Sequence, residues 1–323
     1  MEMDDAKMMR IGIIDLGTNT FNLLLNEIKG QEYKVLHKNK ISVKLGEGGI
    51  TKGIIAPNAY QRGLEALKSH KKTLKKFKVH YIYAVATSAI RSASNGNKFV
   101  KDVKKILDID IHVINGEEEA DLIYNGVKQA IDLEDNPKLI VDIGGGSTEF
   151  IIANSKEIFW RKSYQLGAAR LLEMFDPKDP ISGNDVASIE HHLSNSLKDM
   201  IEYAETYEVD CLIGSSGSFD TLAEMISRKN GLQIDWKQNT SFDFKMHEYN
   251  EIQHLIYLST LKERLNMDGL IPMRADMIVI SVVIINFILN KLPIQTMHLS
   301  NYALKEGLIN QLLRTPDKWQ KYL

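Results

Sequence analysis

The sequence has few residues that could cross-link it or anchor it in a membrane. Cys211 is its one cysteine among 323 residues, which excludes an intrachain disulfide and a zinc site built on several cysteines. The longest apolar run, residues 277–289, is too short to span a bilayer and is interrupted by Ser281 and Asn286. The N-terminal segment MEMDDAKMMR lacks the apolar stretch of a signal peptide. We therefore expect a cytoplasmic protein with no membrane partner.

An excess of charge of either sign is also absent. Forty Lys and Arg residues stand against 42 Asp and Glu residues, for a formal net charge of −2. Non-specific nucleic-acid binders carry an overall basic excess, so we expect no nucleic-acid partner. The densest basic run, residues 68–78, includes Leu74 and Phe77 and is typical of a solvated amphipathic helix. The nine histidines show no metal-ligand spacing.

What the chain does contain is the pattern of an ordinary globular α/β protein. Hydrophobic residues make up 44% of it and charged residues 25%, and its length favours two domains. Apolar periodicity predicts the order β-β-β-α-β-α-β-α up to about residue 131, with Pro57 at the start of the first helix. At residue 138 the pattern starts again with a strand, a glycine turn and a second strand. The apolar run at 277–289 is long enough to favour a buried helix, predicted over 272–290.

The restart is a repeat of residues as well as of elements. The segment IIDLGTNTFNLLL, from residue 13, aligns with IVDIGGGSTEFII, from residue 140. The alignment matches Asp15 with Asp142, Gly17 with Gly144, Thr20 with Ser147 and Asn22 with Glu149. We therefore predict two diverged copies of one α/β unit, and in such proteins the ligand usually binds in the crevice between the copies.

Each copy carries a glycine turn between two strands. Glycine allows close approach of a ligand to the backbone, and successive N–H groups in a tight turn bind anions. An Asp just before such a turn suits Mg²⁺ held beside phosphates. One such turn alone would equally be a plain hairpin, but two in register favour phosphate binding. The candidates are Asp15, Gly17, Thr18 and Asn19 in the first copy, and Asp142, Gly144, Gly145, Gly146 and Ser147 in the second.

Three further segments are weaker candidates. Glu117, Glu118 and Glu119 read first as acidic residues that favour a helix N-terminus, although one of them could face a ligand because adjacent helical residues point in different directions. Arg91, behind two hydroxyl residues at a strand end, suits an oxyanion clamp or is a surface charge. The segment 214–218 is a third candidate phosphate turn, through Gly214, Ser216 and Gly217.

Taken together, the motifs resemble the exopolyphosphatase / guanosine pentaphosphate phosphohydrolase (Ppx/GppA) family, of the superfamily that includes acetate kinase, heat-shock chaperones and actin. The resemblance runs from residue 11 to residue 308. It rests on IGIIDLGTNTFNLLL, VATSAIRSASN, INGEEEADLIYNGV and VDIGGGSTEFII, with weaker matches in IGSSGSFDTLA, PMRADMI and LSNYALKEGL. It implies two duplicated ribonuclease-H-like (actin-like ATPase) α/β domains with the active site in the cleft between them. Domain I would comprise 1–121 with a C-terminal helix in 303–323, and domain II 122–302.

The resemblance also implies roles for particular residues. Glu119 would be the general base that activates water, and Asp142 and Glu149 would hold Mg²⁺ and the attacked phosphate. The glycine turn ending at Ser147 would donate N–H groups to that phosphate. The loop with Asp15, Thr18 and Asn19 would face it, with Asp15 as a further metal ligand and Arg91 as a charge clamp. A homodimer would also fit the family.

Four positions depart from the family pattern. Asn301 and Tyr302 replace a usual Asp-Gly, Ser218 stands where Thr is common, and Ser281 where Gly is common. The catalytic set is unaffected. We expect Mg²⁺-dependent removal of terminal phosphates from inorganic polyphosphate, with guanosine pentaphosphate as the alternative substrate. A kinase of the same superfamily and a non-catalytic nucleotide or polyphosphate sensor are the competing readings. The near-neutral charge and the lack of a C-terminal extension predict a preference for short chains.

Overall fold

The computed structural model describes residues 8–30, 32–236 and 238–314 of the chain. It divides the chain into unit 1 (Met1–Asn115 and Leu308–Leu323) and unit 2 (Gly116–Gly307). The division expected from the sequence, at 121/122 and 302/303, stays a prediction. Two parts of the predicted domain I lie outside the described residues: residues 1–7, and the part of the C-terminal segment beyond residue 314.

Unit 1 is built on a five-stranded sheet with the strand order β3-β2-β1-β4-β5. Its strands are β1 (Met9–Leu16), β2 (Thr20–Lys29), β3 (Glu32–Ser42), β4 (Tyr81–Ala86) and β5 (Ile111–Val113). Its helices are α1 (Pro57–Lys76), α2 (Ser88–Ser92) and α3 (Gly96–Leu107). The first three strands pair antiparallel, while β4 is parallel to both β1 and β5. The apolar face of α1, with Leu64 and Leu67, packs with Phe99 of α3 and Leu23 of β2 in one core.

The basic run belongs to α1 and its C-terminal end. Pro57 opens the helix at a favoured first-turn position, as the sequence predicts. Leu74 is buried, whereas Lys68, Lys72 and Lys75 are exposed. The lysines therefore lie on the solvated face of an amphipathic helix, which confirms the prediction for this segment.

Unit 2 is built on a six-stranded sheet with the order β10-β11-β9-β6-β7-β8. Its strands are β6 (Lys138–Ile143), β7 (Thr148–Ala153), β8 (Ile158–Tyr164), β9 (Cys211–Ser215), β10 (Ser241–Phe244) and β11 (Thr296–Ser300). Its helices are α4 (Gly116–Ala130), α5 (Ala168–Phe175), α6 (Gly183–Ser196), α7 (Lys198–Thr206), α8 (Gly217–Lys229), α9 (Met246–Leu258), α10 (Leu261–Arg264) and α11 (Ile278–Lys291). Helix α12 (Leu304–Arg314) follows β11 across the division between the units. Most of α11 is buried, as predicted for the longest apolar run.

The two sheets share one topology, which confirms the predicted duplication. In each, three antiparallel strands are followed by two that run parallel to the first, in the spatial order 3-2-1-4-5, and β10 is an addition at the edge of the second sheet. The repeat extends to single hydrogen bonds. Gly17 N–H donates to the Thr20 carbonyl at 3.1 Å, and Gly144 N–H donates to the Ser147 carbonyl at 3.0 Å. The α/β, ribonuclease-H-like fold implied by the resemblance is the fold observed.

Several elements differ from the sequence-based predictions. Helices α2 and α8 lie where the pattern indicates polar strand ends and turns, because each begins directly after a buried strand. The segment 183–207, whose apolar pattern is typical of one helix, forms two helices, interrupted at Leu197. The helix predicted from residue 272 begins at Ile278, after a short 3₁₀ turn at Pro272–Arg274. The sequence pattern did not indicate β10, a four-residue edge strand.

In the described part of the chain, no helix has the length and apolarity needed to cross a bilayer.

Candidate active site

Two carboxylates of unit 2 lie side by side on the first strand pair, β6 and β7. Asp142 on β6 is the register partner of Glu149 on β7, and the two side chains are 6% and 1% exposed. Register partners on neighbouring strands point to the same face of a sheet, with their Cβ atoms about 5 Å apart. The sequence alignment of the two repeats places Asn22 opposite Asp15 in the same way in unit 1, and the structure pairs them.

The two carboxylates belong to a polar row that crosses the whole sheet of unit 2. Strand pairing links, in order, Ser241, Ser300, Ser215, Asp142, Glu149 and Ser163. The Ser215 hydroxyl is buried beside Asp142 and has no hydrogen-bond partner among the described residues. A buried donor without a partner is costly, so Ser215 is a candidate for contact with a bound polar ligand.

The turn after β9 is joined to Asp142 by a hydrogen bond. Ser216 Oγ donates to Asp142 Oδ2 at 2.6 Å. Ser216 also has a φ of 68°, in the left-handed region that a residue with a side chain adopts only at a cost. The turn that leads into α8 therefore holds a strained backbone position and presents its hydroxyl to the carboxylate at the end of β6.

The glycine turn between β6 and β7 has its carbonyls occupied. The carbonyls of Gly144 and Gly145 accept from the N–H groups of Ala168 and Arg170, at 2.9 and 3.0 Å. The Gly146 carbonyl accepts from Nε of the buried Arg170 side chain at 2.9 Å. The N–H groups of Gly145 and Gly146, by contrast, donate to no backbone carbonyl within the described ranges. A turn is suited to bind an anion when its carbonyls accept hydrogen bonds from the protein and its N–H groups point to no backbone carbonyl.

Burial separates the three glutamates at the start of α4. Glu119 is 7% exposed, Glu118 is half-buried, and Glu117 is exposed and lies 3.8 Å from Arg161. Of the three, Glu119 is therefore the one held inside the fold, at the positive end of a helix where a carboxylate is stabilised. Its role as general base stays a prediction.

Arg274 is a further candidate for the site, which the sequence reasoning did not assign. A Cβ on Gly217 would lie 1.5 Å from its Nη2 atom, so the guanidinium lies directly against the first residue of α8. Burial lowers the pKa of Arg274, while the nearby carboxylates of Asp220 and Asp142 raise it. Its Nε has no hydrogen-bond partner in the described part of the chain. A half-buried cation beside Asp142 suits a polyanionic substrate. The sequence could have indicated Arg274, because it lies in the segment PMRADMI that contributes to the family resemblance.

The other residues of the third candidate turn have clear packing roles. Gly214 lies inside β9, and a Cβ there would be 2.1 Å from the Phe219 ring, so a side chain at 214 would displace that ring. Gly217 is the first residue of α8.

The residues that depart from the family pattern have partners within the fold. The hydroxyls of Ser218 and Ser281 are hydrogen-bonded to each other. Asn301 N–H donates to the Thr240 carbonyl at 2.9 Å, and the Tyr302 carbonyl accepts from Ser300 Oγ at 2.7 Å.

The candidates in unit 1 form a second, related cluster. Asn22 Nδ2 donates to Asp15 Oδ2 at 2.9 Å, and the Asn19 carbonyl accepts two backbone N–H groups. The Thr18 hydroxyl is buried and has no hydrogen-bond partner within the residues described. Arg91 lies on α2, and its Nη1 donates to the Ile114 carbonyl at 3.0 Å. The phosphate-binding and metal roles predicted for these residues stay predictions.

The donors of unit 2 fit a magnesium ion bound mainly by non-protein ligands. The described residues contain no group of three or more His, Cys, Asp or Glu side chains that could hold a metal. Mg²⁺ is usually held by one or two carboxylates, with waters and substrate phosphates completing its shell. The pair Asp142 and Glu149, beside a glycine turn, matches that pattern.

Comparison with known proteins identifies the family. The Ppx/GppA phosphatase family profile matches residues 24–315. A Haemophilus influenzae protein named as an exopolyphosphatase is 29% identical over 311 residues, which cover 95% of this chain and 92% of that protein. The crystal structure of an exopolyphosphatase from Cytophaga hutchinsonii matches with a TM-score of 0.92 at 39% identity, covering 94% of this chain and 98% of that one. An Aquifex aeolicus Ppx/GppA enzyme matches with a TM-score of 0.76 at 25% identity, covering 94% and 100%. The chain belongs to the Ppx/GppA phosphatase family.

Proposed function

We propose that this protein is an exopolyphosphatase that removes terminal phosphates from inorganic polyphosphate by Mg²⁺-dependent hydrolysis. One observation carries the proposal. Asp142 and Glu149 pair across β6 and β7 at a glycine turn whose carbonyls are bound elsewhere. The carboxylates can take a metal, and the turn can take the phosphate that the metal neutralises. Phosphoryl transfer requires this combination of positioning and charge stabilisation more than it requires a covalent nucleophile.

Each group has a defined task in this proposal. The N–H groups of Gly145 and Gly146 bind oxygens of the terminal phosphate, and the guanidinium of Arg274 adds positive charge beside Asp142. Asp142 and Glu149 would hold Mg²⁺, which supplies neutralisation of the phosphate charge. Ser216 and Ser163 orient these carboxylates through hydrogen bonds of 2.6 Å each.

Glu119 is the group that we propose to accept the proton. Water attacks the terminal phosphorus, the bridging P–O bond breaks, and the proton released by the water passes to the Glu119 carboxylate. The shortened chain leaves with the bridging oxygen. Burial of Glu119 shields this carboxylate from bulk solvent, which is a common setting for a general base.

Guanosine pentaphosphate is the alternative substrate, since its terminal phosphoanhydride needs the same chemistry. The near-neutral net charge of −2 supports short polyphosphate chains over long ones within the proposal. A non-catalytic sensor is the third possibility, but a protein that only binds its ligand would have no use for a buried general base such as Glu119.

The test is phosphate release by the purified protein with Mg²⁺, measured in parallel on polyphosphate and on guanosine pentaphosphate. A higher kcat/KM for polyphosphate supports the proposal, and the reverse preference selects the alternative. Binding of both without release from either would overturn hydrolysis and favour the sensor.

A further inference from the structure

Ser163 contacts two parts of unit 2 that each carry a proposed catalytic carboxylate: strand β7, with Glu149, and the first turn of α4, the helix of Glu119. It lies on β8 as the register partner of Glu149, and its Oγ donates to Glu149 Oε1 at 2.6 Å. Glu149 is only 1% exposed. A carboxylate taken this far out of water needs hydrogen bonds to stay charged and fixed, and the Ser163 hydroxyl supplies one of them.

The same side chain also supports the helix that carries Glu119. A Cβ on Gly116, the first residue of α4, would lie 2.4 Å from the Ser163 Cβ and 3.0 Å from its Oγ. The first turn of α4 therefore rests directly on Ser163. Two residues earlier on the same strand face, Arg161 lies 2.9 Å from Asp121 of α4 and holds the helix at a second point.

The neighbours of Ser163 on β8 are engaged on the opposite face of the strand. Lys162 Nζ and the Tyr164 hydroxyl bind the two oxygens of Asp199, at 2.6 and 2.7 Å. Because side chains alternate along a strand, these two cannot reach Glu149. Of these three consecutive residues, Ser163 is the one that is hydrogen-bonded to Glu149.

We propose that Ser163 is a positioning residue for the reaction. Its hydroxyl orients the Glu149 carboxylate toward the metal, and its side chain sets the position of the first turn of α4 and thereby of Glu119. The inference rests on the proposed function for the roles of these two glutamates. It predicts a loss of catalysis that a loss of packing alone would not produce.

The test compares three variants with the wild type. Ser163→Ala removes the hydroxyl, and Ser163→Thr keeps it. Ser182→Ala is the matched control, because Ser182 Oγ binds Asp185 Oδ2 at 2.5 Å in the same unit but at the start of α6. Two quantities are measured: steady-state phosphate release, and Mn²⁺ affinity from the electron paramagnetic resonance signal of free Mn²⁺ without substrate.

We expect Ser163→Ala to lower kcat and to weaken Mn²⁺ binding by about 10- to 100-fold, as for other residues that orient metal ligands, with KM changed much less. Ser163→Thr should restore both quantities toward the wild type. Ser182→Ala should lower the melting temperature but leave both unchanged.

The two measurements separate this inference from the proposed function. A wild type that releases no phosphate, yet binds Mn²⁺ in a manner that depends on Ser163, removes the exopolyphosphatase proposal and keeps the orienting role. Equal values for wild type and Ser163→Ala overturn the inference, as does equal damage in Ser163→Ala and Ser163→Thr. Absence of Mn²⁺ binding by the wild type overturns it as well.

Discussion

The hydroxyl oxygens of Ser218 and Ser281 lie 2.8 Å apart in a hydrogen bond between α8 and α11. Both residues are buried, and both stand where the resemblance described above implies another residue, Thr at 218 and Gly at 281. A Ser in place of Gly at 281 introduces a hydroxyl, and the Ser at 218 binds it. The two departures therefore form one local substitution, on the side of α8 that packs on α11.

This pair predicts an asymmetry in stability. Ser281 Oγ also lies 3.4 Å from the Met277 carbonyl, so Ser218→Ala leaves Ser281 with a partner. Ser281→Ala removes the partner of a buried hydroxyl and should cost about 1–3 kcal/mol of unfolding free energy, the larger of the two losses. Urea denaturation of the two single variants and the double variant checks this. Strictly additive losses, or a larger loss in Ser218→Ala, would contradict the assignment.

Replacement of the proposed base should abolish turnover selectively. Glu119→Gln keeps the size and buried position of the side chain but cannot accept the proton, so kcat should fall by on the order of 10²- to 10⁴-fold with phosphate binding retained. The control is Glu118→Gln, in the adjacent half-buried residue, which should cost far less. Phosphate release and calorimetric phosphate binding are the measurements. Equal losses from both variants would mean that the wrong carboxylate was chosen.

Activity should require a divalent cation. Without one, the carboxylates of Asp142 and Glu149 repel a polyanionic substrate. Chelator should abolish phosphate release and added Mg²⁺ should restore it, with Asp142→Asn needing much more Mg²⁺ for half-maximal rate. Rates are followed across a Mg²⁺ titration. Full activity in excess chelator would remove the metal from the mechanism.

Polyphosphate should be shortened in a distributive manner. Holding a long polyanion requires many basic contacts, each of which adds salt-dependent affinity. The chain is near neutral, and its densest lysine run lies on the solvated face of α1 in unit 1. Gel analysis of a long-chain digest should therefore show ladders of intermediate lengths, and salt should weaken binding modestly. Chains that disappear one at a time without intermediates would show processive action instead.

Stability should fall in a defined alkaline window because of His298. Its ring is hydrogen-bonded to the Cys211 thiol and to Asp243 Oδ1, at 2.6 Å from the latter, and these contacts raise the pKa of His298 from 6.5 to about 9 despite partial burial. A raised pKa means that the folded state binds the proton more tightly. The contribution is thus complete below pH 6.5 and lost as the pH rises to about 9.

Because the pair of His298 and Asp243 is exposed to solvent, its contribution to the free energy of unfolding should be limited to on the order of 1 kcal/mol. Urea denaturation at pH 6 and at pH 9.5 measures it, with His298→Gln as the control in which the difference should shrink. An unchanged pH dependence in that variant would assign the effect to other groups.

Local sequence was sufficient for the parts of this protein that depend on neighbouring residues. Pro57 and the leucine periodicity predicted α1, and the alternation around the two glycine turns predicted the paired strands. The repeat alignment predicted that Asp142 and Glu149 occupy equivalent positions to Asp15 and Asn22. Helix α8 was missed because its first turn is rich in Gly and Ser, and it forms only because a buried strand precedes it and an apolar core covers it.

The sequence by itself therefore determined the duplicated α/β fold, the family and the candidate acids, since these follow from periodicity and from motifs within short segments. Only the tertiary structure decided which of three adjacent glutamates is buried and which partners hold the carboxylates. Ser216 is 74 residues from Asp142 in the chain, and Arg274 is far from Gly217, so no local pattern relates them. Strand register and helix packing bring such residues together, because contacts between elements are set by the burial of whole faces rather than by neighbouring residues.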